Sequence, residues 1–108
     1  MKTIDRDELK NKMDAGDDFV LVEVLPPKSY AKFHLPGALN IPLANNFEQE
    51  IEKIVPDREE AVVVYCANKE CQASPEAAKK MDQMGYKNVY DYEEGKKDWQ
   101  SAGLPIEK

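Results

Sequence analysis

Only two cysteines, one histidine and one tryptophan occur among the 108 residues, and no stretch stays apolar long enough to span a bilayer. The first eight residues hold no apolar core of the kind a secretory signal needs, so a cytoplasmic location is expected. Basic residues are also scarce. Fifteen Lys and Arg stand against 21 Asp and Glu, a net charge of -6. Nucleic-acid binding relies on clustered cations that displace counterions, so neither nucleic acid nor an anionic membrane is an expected partner. A resident metal is not expected either, because Cys66-x-x-x-x-Cys71 with His34 elsewhere does not supply four ligands at a recognised zinc spacing.

What is present is a globular balance of 42% hydrophobic and 33% charged residues, mixed along the chain without linker, repeat or low-complexity tract. One domain over residues 1–108 is the expectation, since this length buries a single core. Asp5 with Glu8 reads as a capping box, and Leu9 with Met13 continues a first helix that ends near Gly16. Phe19 to Val24 is a β-branched and aliphatic run, the pattern of a strand covered on both faces, and Pro26-Pro27 ends it. Residues 28–33 allow one or two helical turns. The proline-rich segment 34–42 is a loop leading into a very short strand.

Phe47, Ile51, Ile54 and Val55 mark a helix closed by Pro56. Ala61 to Tyr65 is a second buried strand. Ser74-Pro75-Glu76 predicts a helix start with Ser74 as N-cap and Pro75 at the first position; Gly85 is the stop, and Ala77, Ala78, Met81 and Met84 are the buried stripe. A short strand at 88–90 and a last helix over about 94–101 complete the chain. Strands alternating with helices on short connections imply a parallel sheet with helices on both faces.

Cys66 follows the strand 61–65 at its carboxyl end, the edge where ligands bind in open parallel sheets. A polar loop comes next, Ala67, Asn68, Lys69, Glu70, Cys71, Gln72 and Ala73, and then the capped helix. Backbone N–H groups and a positive helix end are expected to converge there and favour a thiolate, the nucleophilic form of cysteine. Lys69 adds positive charge near the sulfur and Glu70 opposes it. The bland alternative treats Cys66 as a small apolar residue closing a core strand. Cys71 is either a resolving thiol for Cys66 or a filler behind the loop, with filler preferred. His34 is expected to fix its loop by hydrogen bonding and not to shuttle protons. Trp99 and Tyr65, Tyr86, Tyr90 and Tyr92 are expected to pack in the core and at its rim.

These residues resemble a known family. Leu21-Val22-Glu23-Val24, Tyr30 and His34-Leu35-Pro36-Gly37-Ala38-Leu39-Asn40-Ile41-Pro42 are similar to the first signature of rhodanese-like domains. Val62-Val63-Val64-Tyr65-Cys66, Ala77-Ala78, Gly85-Tyr86, Asn88-Val89, Gly95, Trp99 and Gly103-Leu104-Pro105 resemble the rest of that pattern in its usual order. The resemblance implies an α/β fold, single-domain, with a central, mostly parallel five-stranded sheet flanked by helices on both faces. It also implies a sulfurtransferase or persulfide carrier without cofactor. Cys66 would take sulfane sulfur from a small donor of the thiosulfate or polysulfide class and pass it to a thiol or other thiophilic acceptor.

Three departures accompany the resemblance. Glu23 and Leu25 stand where Asp and then Arg are usual, a change expected to remove an internal ion pair near the site. The loop after Cys66 is longer than in common single-domain members, and an arginine frequent there is missing. Related phosphatases use an arginine six residues after the cysteine to clamp an oxyanion; Gln72 occupies that position and lacks the charge. Two further readings follow from these departures and from the cysteine pair: a catalytically silent module that binds a partner protein, and a thiol redox sensor built on Cys66 and Cys71.

Overall fold

The computed structural model describes residues 2–44 and 46–108. Strands and helices alternate through it: β1 Lys2–Thr3, α1 Arg6–Asp14, β2 Val20–Glu23, α2 Pro27–Lys32, β3 Leu39–Asn40, α3 Phe47–Ile54, β4 Ala61–Tyr65, α4 Ala73–Gln83, β5 Asn88–Tyr92 and α5 Gly95–Ser101. The strands form one sheet in the order β1-β5-β4-β2-β3, and every neighbouring pair is parallel. Parallel neighbours need crossovers, and the intervening helices supply them.

Alternation along the strands divides the core in two. Val22, Val24, Val62, Val64, Cys66 and Val89 face α3 and α4, where Phe47, Ile51, Ala77, Ala78 and Met81 meet them. Leu21, Val63, Tyr65 and Tyr92 face the other way, against Leu9 of α1 and Trp99 of α5. The central strands are therefore covered on both faces, which is why they read as unbroken apolar runs. The register pairs Glu23 with Tyr65 and Val64 with Asp91. Cys66 thus emerges at the carboxyl edge of the middle strand.

The start of α1 follows the sequence closely. The Glu8 N–H donates to Asp5 Oδ1 at 2.8 Å and the Asp5 N–H to Glu8 Oε1 at 3.1 Å, a complete capping box. At α4 the expectation fails. The helix begins two residues early, with Gln72 at the N-cap and no side-chain cap bond; Ser74 lies inside the first turn, fully buried. Its hydroxyl is turned toward the core and not toward the helix amides. β1 escaped the sequence reading because two exposed residues carry no periodicity.

Close packing of α5 positions the segment after β4. The Lys96 N–H donates to the Cys66 carbonyl at 2.9 Å and the Lys97 N–H to the Ala67 carbonyl at 3.0 Å. Gly95 makes this approach possible. Its φ is +75°, and a Cβ there would stand 2.6 Å from Ala67 C and Asn68 N and 2.7 Å from Cys66 O. Left-handed backbone and a blocked Cβ both demand glycine. Gly95→Ala is expected to cost about 1–3 kcal/mol, measured by urea unfolding, and to displace the Cys66 loop, visible as altered amide shifts over residues 66–72.

Candidate active site

Cys66 is fully buried, and its sulfur is bonded to that of Cys71, with the two Cα atoms 6.4 Å apart. That spacing lies inside the range a disulfide tolerates. The preference for Cys71 as mere filler is therefore corrected: the loop carries it back over the strand end and joins it to Cys66. Asn68 makes this turn. Its Oδ1 accepts the N–H groups of Glu70 and Cys71, each at 3.1 Å, and its carbonyl also accepts the Cys71 N–H at 3.1 Å. Two amides expected to converge on the Cys66 sulfur are thus spent on Asn68.

The other loop residues grade outward. Ala67, Asn68, Cys71 and Ala73 are half-buried, whereas Lys69, Glu70 and Gln72 are exposed. A shallow depression beside the loop is lined by Lys69 together with Asp5, Glu8, Glu93 and Glu94. One cation there stands among four carboxylates.

Beneath the sulfur, within the apolar cluster that holds Cys66, lie two buried polar side chains. Ser74 Oγ lies 3.6 Å from Cys66 Sγ. Asp91, on the same face of the sheet, is also completely buried, and neither carboxylate oxygen accepts a well-formed hydrogen bond from the described residues. Burial pushes its pKa up; the Ser74 hydroxyl eases the charge from nearby without closing good geometry, and the Glu93 carboxylate adds to the rise. An unpaired carboxyl in such a place favours its neutral, protonated form.

On the opposite face Glu23 and Lys96 meet. Lys96 Nζ donates to Glu23 Oε2 at 3.0 Å and to the carbonyls of Ser29 and Phe33, both at 2.7 Å. All three ammonium protons have acceptors. The Tyr65 hydroxyl donates to Glu23 Oε1 at 2.9 Å and accepts the Leu35 N–H at 3.1 Å. Burial, with the Glu23 carboxylate next, pushes the Tyr65 hydroxyl far above the usual phenol range. His34 stacks on Tyr30 with centroids 3.9 Å apart, and its Nδ1 donates to the Tyr30 carbonyl at 3.0 Å. It fixes its loop, as expected.

The rhodanese-like domain model matches residues 5–102. The chain belongs to the rhodanese-like family. A helix-turn-helix-type transcriptional regulator of Mycobacterium tuberculosis is 33% identical over 97% of this chain and 44% of its own length. A thiosulfate:glutathione sulfurtransferase of Saccharomyces cerevisiae is 31% identical over 78% of this chain and 66% of its own. The chain thus spans less than two thirds of the length of these curated relatives. In fold, the rhodanese-like domain of an Anabaena protein superposes with a TM-score of 0.87 at 21% identity, covering 99% of this chain and 79% of that one.

Within the rhodanese-like frame, one expectation is overturned. The exchange to Glu23 and Leu25 does not leave the site without an internal ion pair, because Lys96 of α5 supplies the cation from a distant part of the chain. Lys96, Ser74, Asp91 and Asn68 acquired these roles only in three dimensions. A lysine among the charged residues of a short helix carries no mark of burial, and Asp91 is the penultimate residue of an ordinary strand. The departure at position 25 was the available signal, since Glu23 on a buried strand needs a cation from somewhere.

Two outcomes are expected. Lys96→Met leaves Glu23 buried without its partner and is expected to cost about 3–5 kcal/mol, while Glu23→Leu combined with Lys96→Met should recover much of the loss; urea titration of the three variants measures both. For Asp91 the folded pKa lies above the unfolded one, so its charging opposes folding. Stability should fall as pH rises from the ordinary carboxylate range through the raised pKa, and stay level above it. Asp91→Asn should remove that decline, read from the difference between the variant's and the parent's thermal midpoints across a pH series.

Proposed function

We propose that the reduced domain is a sulfurtransferase or persulfide carrier in which Cys66 holds the transferred sulfur. The observation that carries this reading is the position of Cys66: the first residue past the middle strand of a rhodanese-like sheet, beneath a loop that seats a second sulfur atom against its own. Cys71 Sγ occupies in the disulfide the place that the outer sulfur of a persulfide would take. The residues of the loop, Ala67 to Ala73, would then enclose that sulfur, and Ser74 would face the inner one.

The reaction needs no cofactor. The Cys66 thiolate attacks the sulfane sulfur of a donor, and with thiosulfate sulfite leaves with the electron pair of the broken S–S bond. A thiol acceptor then attacks the outer sulfur and returns Cys66 as thiolate. The acidic lining beside the loop disfavours a dianionic donor and favours one of low negative charge, such as a polysulfide or an organic persulfide. Absence of an arginine at Gln72 argues in the same direction, and against phosphoryl transfer.

Incubation of prereduced Cys71→Ser protein, which has no second thiol in the loop, with a sulfane donor is expected to add the mass of one sulfur atom at Cys66, lost again on addition of a thiol. Cys66→Ala should transfer at no more than about a thousandth of the parent rate, as expected when a covalent nucleophile is removed. Equal transfer by the two proteins would overturn the reading and favour a module that acts by binding a partner.

A further inference from the structure

A persulfide carrier must keep its outer sulfur away from other thiols until the acceptor arrives, yet this loop places a thiol of its own against Cys66. We propose that Cys71 is a resolving residue: it attacks the Cys66 persulfide, expels the sulfane sulfur as hydrosulfide, and leaves the Cys66–Cys71 disulfide seen in the structure. The inference rests on Cys66 accepting sulfur as proposed above, and adds a second outcome for that sulfur, its reductive release.

The geometry that supports it is the closed loop. Cys66 and Cys71 are five residues apart with Cα atoms 6.4 Å from each other, and the Asn68 side chain and carbonyl hold the Cys71 backbone in the folded-back position. Attack from within such a turn competes at a high effective concentration with thiols from solution. The step balances. The Cys71 thiolate forms a bond to Cys66 Sγ, the bond from Cys66 Sγ to the outer sulfur breaks, and that sulfur leaves as hydrosulfide carrying the proton that the Cys71 thiol gave up. The sulfane sulfur gains two electrons, and the two cysteine sulfurs together lose two.

Return to the dithiol form needs an external reductant of the dithiol class, and burial dictates where it acts. Cys66 is sealed from solvent whereas Cys71 is half-buried at the loop surface. The reductant's thiolate therefore attacks Cys71 Sγ, Cys66 departs as thiolate, and the second thiol of the reductant releases Cys71. The domain would thus run as a dithiol-driven sulfane reductase as well as a transferase. A monothiol acceptor draws sulfur from Cys66 only as far as it outruns Cys71.

The experiment uses prereduced protein freed of small thiols and mixed with one equivalent of thiosulfate or inorganic polysulfide. The parent protein should release about one hydrosulfide per chain and end lighter by two hydrogen masses. Cys71→Ser should instead retain the mass of one added sulfur and release no hydrosulfide until dithiothreitol is added. With dithiothreitol present throughout, the parent should turn over repeatedly. A parent protein that keeps its added sulfur as stably as Cys71→Ser would overturn the inference while leaving sulfur transfer intact. If neither protein takes up sulfur from either donor, the inference falls together with the transfer reading.

Discussion

The ammonium of Lys96 is the point from which the site end of the molecule is hung. Its three protons are shared among a carboxylate on β2, a carbonyl within α2 and a carbonyl at the end of α2, so one side chain from the last helix ties together segments more than sixty residues away. The same residue's backbone N–H holds the Cys66 carbonyl. A buried cation is tolerated only when paired and fully hydrogen-bonded, and Glu23 with two carbonyls meets both conditions. Tyr65 completes the arrangement by bridging Glu23 to the Leu35 amide, which fixes the residue directly before Cys66.

The two faces of the sheet consequently offer Cys66 different things. Tyr65 points into the paired, saturated network and contributes rigidity. Cys66 points the opposite way, toward Ser74, on the face that also carries the buried carboxyl of Asp91. Burial there works against any ionised group and raises the Asp91 pKa. The Ser74 hydroxyl lies near both, close enough to Cys66 to donate to an ionised sulfur. The surroundings of Cys66 beneath the loop are therefore buried but not wholly apolar.

Above the sulfur, the loop is stabilised from inside itself. Asn68 absorbs amides that would otherwise point at the sulfur, and α5 holds the Cys66 and Ala67 carbonyls from the side. In the disulfide form Cys71 seals the strand end. While that bond stands, Cys66 has no free thiol to act as a nucleophile.

The chain's own order of residues determined the alternation of strand and helix, the two covered central strands and the strand-end position of Cys66. These follow from local periodicity, proline and glycine placement and β-branched runs, all of which act over a few neighbours. The Asp5 capping box is equally local, and it formed as read. Tertiary structure decided the rest. Glu23 found its counter-charge 73 residues away, Ser74 gave up a helix cap to face the core, Asp91 was buried with no well-formed hydrogen bond from the described residues, and Cys71 came to rest on Cys66. Each depends on which side chains the sheet order and the packing of α5 bring to one edge, and electrostatic pairing in a dry interior is set by distance in space, which spacing along the chain does not encode.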